Sequence, residues 1–342
     1  MAENPVPVRT NVQLIDDWLE WLLHSRGRSE RTIEAYALAM KRLREFMGNR
    51  PLLEAEPAEL VVFCGPYLHK KGVLAGSRVP YISAVKGFYH WAKAARLVQE
   101  LTHPKTGRPL PQMMSLANAE KLMWAPDMGT FIGIRDSAML ALMMGCGLRV
   151  SGLVGINESH LSNMQIGTQV RMALRVTEKG KKERLLPVPR EAEMLLRVYL
   201  EHEDMADVDR DLPALHGRAP DRVLFVSVRS TLVGPDEHRG EKRRLTRKAV
   251  NDMIRRYGKR LDIPAQELHP HAMRHLFGTE LTENDVPTVA VADLMGHADM
   301  KSTGIYTHLA ARKKFANVDQ HAPLAKMKTP VSELLKRLPP SA

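Results

Sequence analysis

The feature that most constrains this chain is a proline- and glycine-rich stretch, His103-Pro-Lys-Thr-Gly-Arg-Pro-Leu-Pro111, because the apolar pattern changes character across it. Proline and glycine punctuate chains: they end helices and strands and mark turns and linkers. Before this stretch the periodicity is helical throughout. After it, helical and strand periods alternate. A length of 342 residues also fits two domains better than one. The sequence therefore predicts a helical domain over 1–108 and a second domain over 109–342.

In the first part, Leu14, Ile15, Trp18 and Leu22 recur at helical spacing, with Asp16, Asp17 and Glu20 on other faces. Ser29 is placed to cap a second helix that turns Ile33, Tyr36, Met40, Leu43 and Met47 inward and stops at Gly48. A third helix is predicted from Pro57 to Leu68. A fourth follows Ser77, with Tyr81, Ile82, Val85, Phe88 and Trp91 on its apolar side. The outward faces carry Arg31, Lys41, Arg42, Arg44, Arg78, Lys86 and Lys93. Basic faces on short helices suit a nucleic-acid clamp, although a solvated helical bundle gives the same local pattern.

The second part opens with an apolar helix over Arg135–Met144. Gln165 to Val176 then alternates, with Val170, Met172, Leu174 and Val176 on one face, which reads as a strand. Lys179-Gly-Lys-Lys182 reads as a turn and Glu183–Val188 as the returning strand. A helix over Glu191–Glu201 precedes a polar region, Asp204–Arg244, built around one apolar run, Val223-Leu-Phe-Val226. Thr246 can cap a basic helix reaching Arg260, and two further helices surround His271–Leu281 and Val286–Met295. The resulting fold class is mainly α with a small antiparallel β-sheet.

The formal net charge is +11, which favours a polyanionic partner, nucleic acid before an anionic membrane surface. Cys64 and Cys146, each inside an apolar run, read as buried thiols rather than a disulfide framework. The longest apolar runs are too short for a membrane span, and the N-terminus has no apolar signal core, so a cytoplasmic protein is expected.

The residues that carry chemistry are scattered: Gly147-Leu-Arg149-Val-Ser, Lys179 on the turn, His271-Ala-Met-Arg274-His275, Leu294-Met-Gly-His297, and Tyr306-Thr-His308. Singly, each is ambiguous. Arg149 could be a surface arginine and Lys179 part of a solvated turn. His271 and His275 share a helical face and could hold zinc, yet no cysteine lies nearby and the carboxylates lack ligand-like spacing, so no metal is expected. His271 and Arg274 lie one turn apart and can reach one site.

Taken in order, these elements resemble the tyrosine recombinase, or phage integrase, family. Gly147-Leu-Arg149-Val-Ser-Gly152-Leu153 is similar to that family's G-L-R-x-S-E-L element, and Lys179-Gly-Lys-Lys-Glu-Arg184 to its K-G-x-K-x-R hairpin turn. His271–His275 matches H-x-x-R-H. Leu294-Met-Gly-His297 resembles L-G-H with one residue inserted, and Tyr306 follows His297 by nine residues, as the family's nucleophile does. The resemblance spans Val12 to Leu324 and is densest from Arg135 to His308. One position departs from the pattern: Gly152 stands where the family usually has an acidic residue, for which Glu158 is the nearby candidate substitute.

The resemblance implies a helical core-binding domain followed by an α+β catalytic domain. It assigns Arg149, Lys179, His271, Arg274, His297 and Tyr306 as catalytic, acting through a 3′-phosphotyrosine without metal or other cofactor. It also implies double-stranded DNA with paired inverted half-sites as partner. Four copies, or two pairs with a related recombinase, would assemble on two sites, with a tail over 309–342 contacting the neighbouring protomer. Base and phosphate contacts are expected from Arg31, Lys41, Arg42, Arg78 and Lys86 in the first domain, and from Arg243, Arg244, Arg247 and Lys248 in the second. The start of the chain close to the first predicted helix implies a Xer-like layout. Asp204–Arg244 is then an insertion relative to compact members, and chromosome-dimer resolution and mobile-element integration or excision both stay open as the role. A bacterial, nucleoid-associated protein is implied. Two other functions share parts of the pattern: a type IB topoisomerase, which nicks and reseals, and a non-catalytic DNA-binding accessory protein, to which Gly152 points.

Overall fold

The computed structural model describes residues 9–104, 112–177, 183–214, 219–230, 233–296 and 315–333. The chain divides into two compact units, Met1–Pro109 and Leu110–Ala342.

The first unit contains α1 (Asn11–His24), α2 (Glu30–Met47), α3 (Pro57–Val62), α4 (Leu68–Lys70) and α5 (Val79–Trp91). Thr10 and Gln13 form a reciprocal capping box at the start of α1. Ser29 accepts from the Thr32 amide at 3.3 Å to cap α2, and Gly48, with a φ of 62°, ends it. Trp18, Met40, Leu43, Leu60, Phe63, Val85 and Phe88 form the fully enclosed centre. Tyr89 is also buried, and its hydroxyl donates to the Leu52 carbonyl at 2.6 Å. The single helix predicted from Pro57 to Leu68 is instead α3 and α4 joined by a π-turn at Phe63–Tyr67 that contains Pro66. Proline has no N–H for the α-helical ladder, and the wider turn accommodates the missing bond.

The second unit contains α6 (Leu116–Met123), α7 (Phe131–Cys146), α8 (Val150–Val154), β1 (Leu161–Ile166), β2 (Gln169–Thr177), β3 (Glu183–Pro187), α9 (Arg190–Leu200), α10 (Glu203–Ala206), β4 (Asp211–Leu212), β5 (Asp221–Arg222), α11 (Arg247–Arg260), α12 (Pro270–Glu283) and α13 (Thr288–Met295). Helix α7 is buried almost all round, so it is the axis on which α9 and α12 pack. Its charged start is satisfied internally. Arg135 pairs with Asp136 and donates to the Val226 carbonyl at 2.7 Å, while the Tyr257 hydroxyl donates to the other Asp136 oxygen at 2.9 Å.

The three-stranded antiparallel sheet has the order β1-β2-β3. The single strand expected over Gln165–Val176 is in fact a hairpin: Ile166 pairs with Gln169 across Gly167-Thr168, and Gly167 has a φ of 66°. The left-handed backbone of Gly167 turns the chain where the alternating pattern alone gave no break. The polar region Asp204–Arg244 is held to the unit by its apolar run, since Val223, Leu224, Phe225 and Val226 are all buried.

The described part of the tail, residues 315–333, packs on its own unit. Val318, Ala322, Leu324, Met327 and Val331 join its core. Arg171 forms a two-pronged ion pair with Asp319 at 2.5 and 2.7 Å, and Lys326 pairs with Glu280 at 2.7 Å. Among the described residues, no helix is long and apolar enough to cross a membrane. Both Cys64 and Cys146 are buried free thiols, and burial pushes each up to about 12.

Candidate active site

Two helices that end in left-handed glycines build the described part of the site. Helix α7 stops at Gly147, whose φ is 60°, and the chain then presents Leu148 and Arg149. A Cβ on Gly147 would lie 2.4 Å from Cδ1 of Phe277, so no other residue fits this close approach of α7 to α12. Helix α13 stops at Gly296, with a φ of 62°, one residue before His297 in sequence. Arg149 itself is the N-cap residue of α8, and its carbonyl accepts from the Leu153 amide at 2.9 Å.

Arg274 lies between the two glycine-terminated ends. It is only 5% exposed, and its guanidinium donates to the Gly147 carbonyl through Nη1 and to the Met295 carbonyl through Nη2. His271, one turn earlier on α12, is exposed. The helix is capped by His269, whose Nδ1 accepts from the Ala272 amide at 3.0 Å, with Pro270 at its first position. Partial desolvation of its ring lowers the pKa of His271 below the ordinary histidine value, and the nearby histidines and the charges of Arg274 and Arg149 lower it further. His271 is thus favoured as a neutral base. The same field shows that Arg149, His271 and Arg274 share one electropositive region.

Beside Arg149 is a cleft of about 360 Å³, lined by Leu148, Arg149, Ser151, Gly152, Val176, Thr177 and Arg184. A Cβ on Gly152 would meet nothing within 4 Å. The position usually held by an acidic side chain therefore faces open space. Glu158 does not take its place: it pairs with Arg210 at 3.1 Å and Arg222 at 3.8 Å, both in the Asp204–Arg244 region.

Lys179, His297 and Tyr306 lie outside the described residues. Among the described ones, no group of three or more His, Cys, Asp or Glu side chains is arranged to hold a metal ion.

The candidate DNA-contacting cations divide into two kinds. Arg31, Lys41, Arg247 and Lys248 are exposed, with Lys248 paired to Asp252 at 3.0 Å. The others are engaged within the fold. Arg78 donates to the Val73 carbonyl at 3.1 Å, Lys86 to the Leu101 carbonyl at 2.8 Å, and the Arg42 guanidinium lies 5.3 Å from the Tyr81 ring centre. Arg243 donates weakly to the Ser227 carbonyl at 3.4 Å. Arg244 departs furthest from the expectation. Its fork donates to the Val154 and Ile156 carbonyls, to Asn157 Oδ1 and to Glu241, which makes it a clasp between the Asp204–Arg244 region and the α8–β1 connection rather than a group turned to DNA. Sequence reasoning passed over Arg184 and His269. Arg184 appeared only as the last letter of a hairpin motif, and nothing in the sequence shows that His269 caps α12.

Such a cluster, arginines and a histidine assembled at helix ends beside a strand hairpin, is that of an enzyme acting on a phosphodiester. The phage integrase family model matches residues 112–313, and its N-terminal SAM-like domain matches 15–96. The tyrosine recombinase XerD of Proteus mirabilis is 32% identical over 320 residues, covering 92% of this chain and 94% of the relative. XerD of Listeria innocua is 31% identical over 304 residues, covering 86% and 94%. Among solved structures, XerH bound to palindromic difH substrate in a post-cleavage complex aligns with a TM-score of 0.62 at 16% identity, over 90% of this chain and 83% of that one. A lambda integrase(75-356) dimer bound to a COC′ core site aligns with a TM-score of 0.59 at 15% identity, over 87% and 100%. These two likenesses are of fold. The chain belongs to the phage integrase family, and it is a tyrosine-type site-specific DNA recombinase; this reading is favoured over a topoisomerase or an accessory protein.

Proposed function

We propose that Tyr306 attacks a DNA phosphodiester and forms a 3′-phosphotyrosine, releasing a 5′-hydroxyl. The observation that carries this reading is Arg274, which joins the helix end that launches Arg149 to the one that precedes His297. Phosphodiesters are anionic and repel nucleophiles, so cleavage needs fixed positive donors around the non-bridging oxygens. Arg149 and Arg274 supply them, and guanidinium stays charged even when buried. Their field favours the phenolate of Tyr306, whose free pKa is about 10. His271, held neutral by its surroundings, accepts the phenol proton. His297 hydrogen-bonds a non-bridging oxygen, and Lys179 protonates the leaving 5′ oxygen. The ester conserves the energy of the broken bond, so joining to a new strand needs no nucleotide hydrolysis.

In this reading the first unit is the core-type DNA clamp and the second the catalytic domain. Four protomers assemble on two sites, each with paired inverted half-sites, and tail residues other than the 315–333 segment that packs on its own unit contact the neighbouring protomer. The lambda integrase tetramer bound to a Holliday junction aligns with this chain at a TM-score of 0.60 and supports that geometry. Exposed Arg31, Lys41, Arg247 and Lys248 are the leading phosphate contacts, and the chain works in the cytoplasm on nucleoid DNA. Incubation with a nicked suicide duplex tests the assignment. The native protein should form a covalent adduct that resists denaturation, and Tyr306→Phe should lose the adduct while keeping DNA affinity. Persistent adduct in Tyr306→Phe would overturn it.

A further inference from the structure

Arg184 is the second residue of β3, paired with Val176 of β2. Its guanidinium reaches across to α13, where Nη1 donates to the Asp293 carbonyl at 3.1 Å and also to the Leu294 carbonyl. These carbonyls belong to the last turn of α13, where C=O groups lack partners along the helix and partial negative charge accumulates. The next carbonyl, that of Met295, accepts from Arg274 of α12. Two guanidiniums from two different elements thus hold three successive carbonyls. Gly296 follows, turns left-handed and ends the helix, and its own amide returns to the Asp293 carbonyl at 3.1 Å. His297 is the next residue in sequence, and Tyr306 lies nine residues beyond it.

We propose that Arg184 is a positioning residue for the nucleophile. It fixes the end of α13 against the β2–β3 hairpin, and so sets where the segment that begins at His297 leaves the helix. This inference rests on the assignment of Tyr306 as nucleophile. Arg184 also lines the cleft beside Arg149, so a direct contact with the phosphate is the competing role. The carbonyl contacts favour positioning. They hold Nη1 against helix α13 rather than in the cleft, and they bridge 109 and 110 residues of sequence between two elements of the site.

The two roles, and a third in which Arg184 acts on the leaving group through the hairpin, separate kinetically. The test compares the native protein with Arg184→Lys and Arg184→Met on two nicked suicide duplexes. One has an ordinary scissile phosphodiester. The other has sulfur at the 5′ bridging position, which leaves as a thiolate and needs no proton. Single-turnover adduct formation is measured at saturating DNA, with affinity measured separately. Arg184→Met should slow adduct formation about 100-fold on both duplexes, the scale of a roughly 1 Å misplacement of a reacting group. Arg184→Lys keeps the charge but loses the fork, and should slow it about 10-fold. Affinity should stay within about twofold of native, because no phosphate contact is removed.

Native-like rates in both variants would overturn the proposal. So would recovery on the sulfur duplex alone, which would place Arg184 on the leaving-group side. A loss of affinity that matches the loss of rate would make Arg184 a phosphate ligand, and would also overturn it. If Arg184→Met fails to fold, the same measurements on Arg184→Lys decide. Failure of the Tyr306 assignment looks different, since the native protein would then form no adduct on either duplex.

Discussion

Gly152 is the position at which the site can be altered with the least disturbance, and the outcome can be worked out from its surroundings. It lies inside α8, it is not among the glycines with positive φ, and a Cβ there would touch nothing within 4 Å. Gly152→Ala therefore adds no strain and gains helix propensity, a difference of about 0.8–1.0 kcal/mol in a helix interior. In a helix of 5 residues the gain falls to about half of that, roughly 0.5 kcal/mol, since the ends fray. A unit of this size should show a rise of about 1–2 °C in its unfolding midpoint. Gly152→Glu adds a carboxylate to the cleft that Arg149 and Arg184 line. A charge-assisted hydrogen bond there is worth about 1.5 kcal/mol, at the low end for such bonds because the cleft is open to solvent. If the carboxylate orders Arg149 for the phosphate, that energy appears in the transition state as an increase of about tenfold in the rate of adduct formation. Single-turnover trapping on a suicide duplex measures it, with Gly152→Ala and Gly152→Gln as controls for propensity and bulk. A Gly152→Glu rate equal to or below that of Gly152→Gln would refute the argument, because the open space beside Arg149 would then not be a place where an acidic group assists.

Two further predictions come from side chains that sequence alone could not place. His269→Asn keeps an acceptor for the Ala272 amide but removes a ring whose centre is 6.5 Å from that of His271. Desolvation is the first cause of the lowered proton affinity of His271, and the smaller side chain admits water to its ring, which raises that affinity. The acid limb of the rate profile should then move to higher pH relative to native, while the helix stays capped; an unmoved or lowered limb would count against His271 as the base. For the cations, Arg247→Ala should leave the unfolding midpoint unchanged and reduce the salt slope of DNA binding by about one. Arg244→Ala should leave the slope unchanged and destabilise the fold by about 2–4 kcal/mol, read from chemical denaturation, because it strips donors from several part-buried acceptors. The reverse pattern would show that Arg244 faces the DNA after all.

Much of the fold was legible because helices advertise themselves by period. Trp18, Met40, Leu43, Val85 and Phe88 were all predicted inward, and all are buried. The failures have local physical causes. Gly167 turns the β1–β2 hairpin within two residues, and β1 is too exposed to show an apolar face of its own, so the alternation of β2 appeared to run on past the turn. Pro66 leaves the third helix continuous in period but not in hydrogen bonding. Charged residues were the least readable class. An arginine on a basic helix looks the same in sequence whether it faces DNA or, as Arg78 does, binds the Val73 carbonyl. Glu158 was near enough in sequence to replace the acidic residue missing at 152, but the Asp204–Arg244 region supplies Arg210 and Arg222 and draws it away.

Arg274 shows why the order of the motifs was more informative than any single one. A guanidinium has five N–H donors. In this fold two of its nitrogens already donate to the carbonyls of Gly147 and Met295. Those carbonyls sit at the ends of α7 and α13, elements separated by more than a hundred residues of sequence. A site of this kind cannot be assembled from one contiguous motif, because the chain must first bring two helix ends to the same arginine. Once they are there, the positive charge is held in place before any phosphate arrives. Donors fixed in advance need no reorganisation as charge develops, which is where electrostatic catalysis gains most of its effect. The same fact limits what mutagenesis at this position can show. Arg274→Ala would remove the proposed phosphate ligand and unfasten both helix ends together, so its rate loss cannot be divided between chemistry and scaffold. Arg184, which grips the neighbouring carbonyls of α13 from β3, is the position where the scaffold's share can be tested, with DNA affinity measured beside the rate.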